Sequence, residues 1–399
     1  MGQNLRQISY FFLLILFALS LESCHVGRFF YWNFADVQDY KKFKSVDIKT
    51  ANQPFTFLKS DLNYPTDSFQ FQFRGKTYDF DTYLQKSGTL AFLVIQNDKI
   101  IIEKYAQKYN EASVIPSFSM SKSIVSLLLG KAIEEGYISS VEDKIYKYIP
   151  ELDSNQFKNL SILDVLNMRS GIKCNESYVN PFGDVAKHYY GLNIKKYVKQ
   201  LQKKESPNIN FEYISINTQL LGLAVENAVG KKLNTYLEEK FWIPMQMEFP
   251  ATWSIDSEKN KTIKSFCCLN ARARDFAKFG KLMLDQGDWN GKRLISEDWI
   301  QQSISPNWDN DFTYNLQWWQ GSQIQKTEEN TSQITIGKTI TIKGKPYKMI
   351  PNGDYWAEGI LGQFIYMVPN KNLIFVRMGK RYGSFLPWPR FFKGMSERL

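Results

Sequence analysis

Residues 117–134 read SFSMSKSIVSLLLGKAIE, and this stretch limits the possible folds more than any other. Its spacing predicts a helix that is apolar nearly all round, with Gly136 as the stop. A helix without a polar face must be enclosed on every side. Only a layered domain can do that, and 399 residues, 43% of them apolar, are enough to build one.

The head of this helix carries four serines and a lysine. Ser119 and Lys122 stand three apart, which puts both side chains on one helical face. A lysine amine beside a hydroxyl can act as its general base when burial or nearby charge lowers its pKa. Pro116 and Ser117 mark the helix start, so Ser119 is expected in the first turn. Free N–H groups and the positive end of the helix dipole can stabilise an oxyanion there. Ser117, Ser121 and Ser123 lack that combination. The spacing recurs at Ser170–Lys173 (SGIK), where the glycine indicates a loop. A polar helix start with a surface lysine is the competing reading, and the buried helix behind it weighs against that.

The first two dozen residues read as a targeting segment rather than as fold. Arg6 is followed by a continuous apolar run, Tyr10–Leu21, too short for the roughly 20 residues a membrane-spanning helix needs. LESC (Leu21–Cys24) resembles a bacterial lipoprotein box with Cys24 as the lipidated residue, although Glu22 departs from the usual small residue. The expectation is an exported lipoprotein of the bacterial cell envelope, in the periplasm or outer membrane, held to the membrane by a lipid anchor. Its net charge of +10 comes mainly from dispersed lysines. The densest basic piece, Lys195–Lys204, reads as a solvated helix face, and no nucleic-acid-binding signature accompanies it. Cys174, Cys267 and Cys268 form no C-x-x-C pair, so buried thiols are expected rather than a disulfide framework or a metal site. With only His25 and His188 present, a Ser-His-Asp triad would have to use His188.

Two hairpins are expected, Thr89–Tyr105 around Asn97-Asp98 and Gly362–Gly379 around Asn370-Lys371. Between them the sequence is mainly helical. Strands at both ends enclosing a helical middle predict an α/β (α+β) fold, with one sheet assembled from N- and C-terminal segments and an all-α lobe inserted. The expected boundaries are a signal at 1–23, an extension at 24–75 and a main domain at 76–399. Within that domain the α/β part covers about 76–135 and 251–399, and the helical part about 136–250. Residues 320–354 read as a polar insertion, a flap that shapes the acyl pocket.

Two further elements could serve a Ser-Lys site. FEYISINTQLLG places Tyr213 before a helix with Ser215 and Asn217 behind it. A phenol near a lysine ammonium can be partly ionised and relay protons, although such a tyrosine is usually packing. YWAEGILGQFIYMVP places Gly359 and Gly362 before an apolar strand, where a ligand can approach backbone closely; a plain turn before the strand is the competing reading.

Taken in order, these pieces resemble the serine β-lactamase and penicillin-binding-protein superfamily, in particular its class C-like branch of esterases and 6-aminohexanoate-dimer hydrolases. The resemblance runs from about residue 85 to 385 and also takes in DVLNMRSGI, ARARDFAKFGKLMLDQGDWNGKRLIS and LQWW. It implies Ser119 as nucleophile, Lys122 as its paired base and Tyr213 as proton relay. It also implies an oxyanion hole from the backbone N–H groups of Ser119 and Ile360. Ser215, Asn217, Glu358, Gly359, Gly362 and Gln363 would form the substrate pocket, with Ser215 where many members have asparagine. The third motif departs most, because Ala357-Glu358-Gly359 stands where β-lactamases carry Lys-Thr-Gly. The missing cation argues against β-lactams and peptide carboxylates, and Glu358 points to a cationic or neutral substrate.

The resemblance thus implies a serine hydrolase of small amides or esters that forms an acyl-enzyme, with no metal, cofactor, nucleic acid or obligate protein partner. A β-lactamase or D-alanyl-D-alanine carboxypeptidase is one alternative, and a non-catalytic lipoprotein retaining the fold is another.

Overall fold

The computed structural model of the protein describes residues 25–399, apart from 62–63, 65, 67–68, 74, 308–312, 327–337, 343 and 383–386. The signal segment and Cys24 lie outside the described residues.

TLAFLVIQ and LIFVRMG are apolar at nearly every position because both faces of these strands are covered. They belong to a nine-stranded sheet of β1 (Leu58–Lys59), β2 (Thr89–Gln96), β3 (Lys99–Tyr105), β4 (Tyr314–Asn315), β5 (Trp318–Lys326), β6 (Lys338–Ile342), β7 (Lys345–Gly359), β8 (Gln363–Val368) and β9 (Leu373–Gly379). The spatial order is β4-β5-β7-β8-β9-β2-β3-β1, with β6 paired to β7. Antiparallel pairing of β9 with β2, Phe375 opposite Val94, joins the two ends of the chain at the middle of the sheet.

Alternation assigns each residue to a face. On β2, Phe92 and Val94 enter one core, and on β9 so do Leu373 and Phe375. That core is covered by the helix Phe80–Lys86 and by the C-terminal helix Trp388–Ser396. Leu93, Ile95, Ile374, Val376 and Met378 enter the larger core on the other face. Five helices bear on the site and on this core: α1 (His25–Trp32), α2 (Met120–Glu134), α3 (Asp184–Tyr190), α4 (Ser215–Val229) and α5 (Ala273–Leu284). Helix α5 lies on β8 and β9, and α2 packs between β7 and α4. Twelve of the fifteen residues of α2 are buried, as its all-round apolar surface requires. The named elements between residues 137 and 250 are all helical. The hairpin at Asn97-Asp98 closes with φ of 49° and 61°, which suits a two-residue type I′ turn.

Four expectations need correction. The basic helix ends early: it spans Ile194–Val198, after which Gln202 and Lys204 exchange backbone bonds with Lys173 and Gly171. Pairing with a remote segment there overrides local propensity. YNLQWW, whose sequence reads as one strand, breaks at Leu316 and Gln317, both with positive φ, so Tyr314–Asn315 folds back on Trp318–Trp319. The described part of segment 320–354 is no flap over the site, since it extends β5, β6 and β7 as an antiparallel ladder. Cys267 and Cys268 are bonded to each other as a disulfide instead of being free thiols. Looking for spaced cysteine pairs overlooks this adjacent one.

Candidate active site

Ser117 is carried by a small second sheet. The strand Ile115–Pro116 pairs with Leu269–Ala271, and the Ser117 N–H donates to the Leu269 carbonyl at 2.8 Å. The next residue, Phe118, turns the chain into α2 with φ of 45°, a left-handed conformation that costs a bulky residue of order 1 kcal/mol. The helix begins at Met120, so Ser119 is its N-cap and not a residue of its first turn. An N-cap serine normally bonds a backbone N–H of that turn. Here its side chain makes no such bond, and its Oγ lies 2.8 Å from Lys122 Nζ.

The other serines of the stretch are occupied. Ser117 Oγ donates to Phe118 O at 3.0 Å, Ser121 Oγ to Ser265 O at 3.1 Å and Ser123 Oγ to Gln317 O at 2.7 Å. Only Ser119 has its hydroxyl against an amine.

Lys122 is fully enclosed. Its ammonium also contacts Ser215 Oγ and the Phe266 carbonyl, each at 3.2 Å, and lies 5.0 Å from the centre of the Tyr213 ring. Burial lowers its pKa to about 8, against an opposing pull from the carboxylate of Glu176. A minor neutral fraction, about a tenth at pH 7, is therefore available to act as a general base.

Tyr213 stacks on Trp319 at 5.4 Å and meets Tyr314 edge-on, close enough for Ser119 to draw its pKa downward. Burial pushes this phenol well above its ordinary range, and the neighbouring Tyr314 and Tyr178 push the same way. The partly ionised phenol expected from the sequence is thus corrected to a neutral one.

Gly359 ends β7 directly beside the nucleophile. A Cβ there would collide with Ser117 O and come within 3.1 Å of Ser119 N, so glycine is what lets the two backbones meet. Ile360 and Leu361 follow and line the same cavity as Ser119 and Ser215.

The remaining expected pocket residues are elsewhere. Asn217 is buried in α4 against Met168 Sδ. Gln363 bonds both backbone groups of Gly379 across the sheet. Gly362 leaves room for the buried Arg377 guanidinium, which binds the carbonyls of Leu361 and Gly362 and lies 3.9 Å from the Trp388 ring. Glu358 accepts from the Trp356 indole at 2.9 Å, does not line the cavity, and has its pKa raised by burial. It therefore does not face a substrate held in that cavity, although its charge raises the Tyr213 pKa. His188 also lies outside the cavity, against Tyr197, and burial lowers its pKa to about 4. At Ser170, Oγ accepts from Ile172 N, and Lys173 is exposed.

Sequence reasoning missed Glu176. It accepts from Ser215 N at 3.0 Å and from Ser215 Oγ at 2.5 Å, which links Ser215 to the Lys122 ammonium on its other side. A carboxylate from a remote loop thereby caps α4, a position favoured by the helix dipole. Nothing in KCNESY alone signals this, because the partner is 39 residues away. Arg377 was missed as well, since its run LIFVRMG reads as a plain buried strand.

Residues 80–386 match the Beta-lactamase family. The chain belongs to that family. It is a serine hydrolase with the β-lactamase fold. It is 27% identical over 266 residues to the 6-aminohexanoate-dimer hydrolase of Paenarthrobacter ureafaciens, covering 60% of this chain and 66% of that one. Among solved structures, one named "Putative 6-aminohexanoate-dimer hydrolase from Bacillus anthracis" superposes with a TM-score of 0.71 at 20% identity, over 92% of each chain. A penicillin-binding protein from Bacillus halodurans gives a TM-score of 0.56 at 15% identity, over 80% of this chain and 99% of that one. These structures share the β-lactamase-family fold.

Proposed function

We propose that the protein hydrolyses a small amide or ester through an acyl-enzyme on Ser119, with Lys122 as base and Tyr213 as proton relay. One observation carries this reading: Ser119 Oγ lies 2.8 Å from a buried amine whose pKa is lowered to about 8. Ser119 Oγ forms a bond to the carbonyl carbon, and its proton passes to Lys122 Nζ. The N–H groups of Ser119 and Ile360 hold the oxyanion. The bond to the leaving amine or alcohol then breaks, and that group takes a proton delivered through Tyr213. Being neutral, Tyr213 gives up its own proton as it accepts one from Lys122. Water next loses a proton to Lys122, attacks the ester, and releases the acid with Ser119 reprotonated. Glu176 and Ser215 hold Lys122 in place.

The relative named for 6-aminohexanoate-dimer hydrolysis supports an amide or ester substrate, and the absence of a lysine from Ala357-Glu358-Gly359 speaks against β-lactams. We further propose export with lipidation at Cys24, supported by the apolar run Tyr10–Leu21 and the LESC sequence. Incorporation of an alkyne fatty acid that is lost in Cys24→Ala tests that part. Among the described residues no helix is long and apolar enough to cross a membrane.

The main test is a fluorophosphonate probe followed by mass spectrometry. Wild type is expected to carry the label on Ser119 and Ser119→Ala to carry none. Equal labelling of both proteins would overturn the assignment.

A further inference from the structure

The family match starts at residue 80, yet part of the wall around Ser119 comes from the segment before it. A cavity of about 260 Å³ opens at Ser119, and Phe29, Phe34 and Ala35 close one side of it. Val179 and Val185 stand in the same wall, with Tyr190 behind Phe29. Among the described residues, no charged side chain lines this cavity.

The N-terminal wall is fixed in place. Phe29 meets Phe34 and Tyr190 edge-on at 5.8 and 5.4 Å. The Tyr190 hydroxyl donates to Asn33 O at 2.6 Å, and Arg28 Nε donates to Tyr190 O at 2.5 Å. Phe34 is 52% exposed and forms the rim, whereas Phe29 is buried.

Tyr213 and the rings that hold it, Tyr314 and Trp319, are absent from this wall. A leaving group protonated at Tyr213 therefore departs outside the cavity, and the cavity holds the acyl side of the substrate. An apolar pocket of this kind favours each methylene it covers and penalises a charged group that it cannot pair.

We infer that residues 29–35 form an acyl-selectivity wall and that the substrate carries an uncharged hydrocarbon acyl group of a few carbons. The inference rests on the Ser119 acyl-enzyme reading and names the substrate class for that same site.

The experiment compares p-nitrophenyl acetate, butyrate and hexanoate with the 6-aminohexanoate ester and the adipate monoester, using the full chain. Fluorophosphonate labelling of Ser119 is run in parallel. The value of kcat/KM is expected to rise about fourfold per added methylene until the cavity is filled. Both charged esters are expected to fall roughly tenfold or more below hexanoate. Phe34→Ala, at the exposed rim, should lower the hexanoate-to-acetate ratio about threefold or more. Ala35→Phe should move the optimum to a shorter chain. A flat series, or a preference for either charged ester, with Ser119 still labelled would overturn the inference while leaving the hydrolase reading intact. Wild-type ratios in both variants would overturn the role of the N-terminal wall. Loss of both turnover and Ser119 labelling would overturn the reading beneath it.

Discussion

Two buried lysines meet one stretch of chain, residues 264–268, and their surroundings separate catalysis from packing. Lys122 donates to the carbonyl of Phe266, while Lys264 belongs to that stretch and donates to Tyr189 O at 2.6 Å. Burial lowers both, Lys122 to about 8 and Lys264 to about 7. Among the described residues neither has a carboxylate within 4 Å. Lys122 lies 2.8 Å from a serine hydroxyl that opens on the cavity. Lys264 lies 3.3 Å from the centre of the Phe43 ring, and among the described residues its amine hydrogen-bonds a backbone carbonyl rather than a hydroxyl. A depressed pKa therefore does not identify a catalytic lysine, and adjacency to an attackable oxygen does.

The sharpest way to break this contrast is to remove each amine in turn. Lys122→Met is expected to lower kcat/KM about a thousandfold with the fold intact by circular dichroism. Lys264→Met should stay within about threefold of wild type, because methionine fills similar space without a desolvated amine. Comparable losses in the two variants would end the distinction. Tyr213→Phe comes next, with an expected loss of about a hundredfold in kcat/KM. If its relay role is right, the loss should be smaller for esters with good leaving groups than for amides.

The pH profile sharpens the comparison further. Lys122 acts unprotonated, so kcat/KM should rise with pH and level off above about 8. Glu176 raises the Lys122 pKa, so Glu176→Gln should move the rising limb to lower pH. A limb that stays put would detach Glu176 from the base. Lys264 should leave its mark on stability instead. Its folded pKa, about 7, lies below its ordinary 10.5, so the unfolded chain binds more protons between those values. Stability from this group therefore rises with pH through that window, and Lys264→Met should flatten the corresponding part of a Tm–pH curve. The smallest effect is expected for His188→Gln, within about twofold in kcat/KM, because the ring packs against Tyr197 and does not line the Ser119 cavity.

Local patterns carried the parts of the site that depend on nearby residues. The three-residue step from Ser119 to Lys122 and the all-round apolar helix behind it could be read directly, as could the apolar strands at the middle of the sheet. Contacts between remote segments could not. Glu176 reaches Ser215 across 39 residues, and Phe34 reaches the cavity from ahead of the family match. Gly362 and Gln363 are a different case. They stand in the motif that carries Gly359, yet their side of the turn faces Arg377 and Gly379 rather than the cavity. A motif gives the order of residues along the chain, and the turn decides which of them face the ligand.

The pairing of β9 with β2 has a consequence for folding. Phe375 must meet Val94 across about 280 intervening residues, a long-range closure that is slow relative to local helix formation. Gly359, which touches the backbone of Ser117 and Ser119, sits two strands from that seam. The helix behind Ser119 rests on local contacts and can form early, but the N–H of Ile360 joins it only once β7 is held in the sheet that β9 closes on β2. The nucleophile is thus assembled before the pocket that would hold its oxyanion, and a chain truncated before Leu373 would carry Ser119 without a working site.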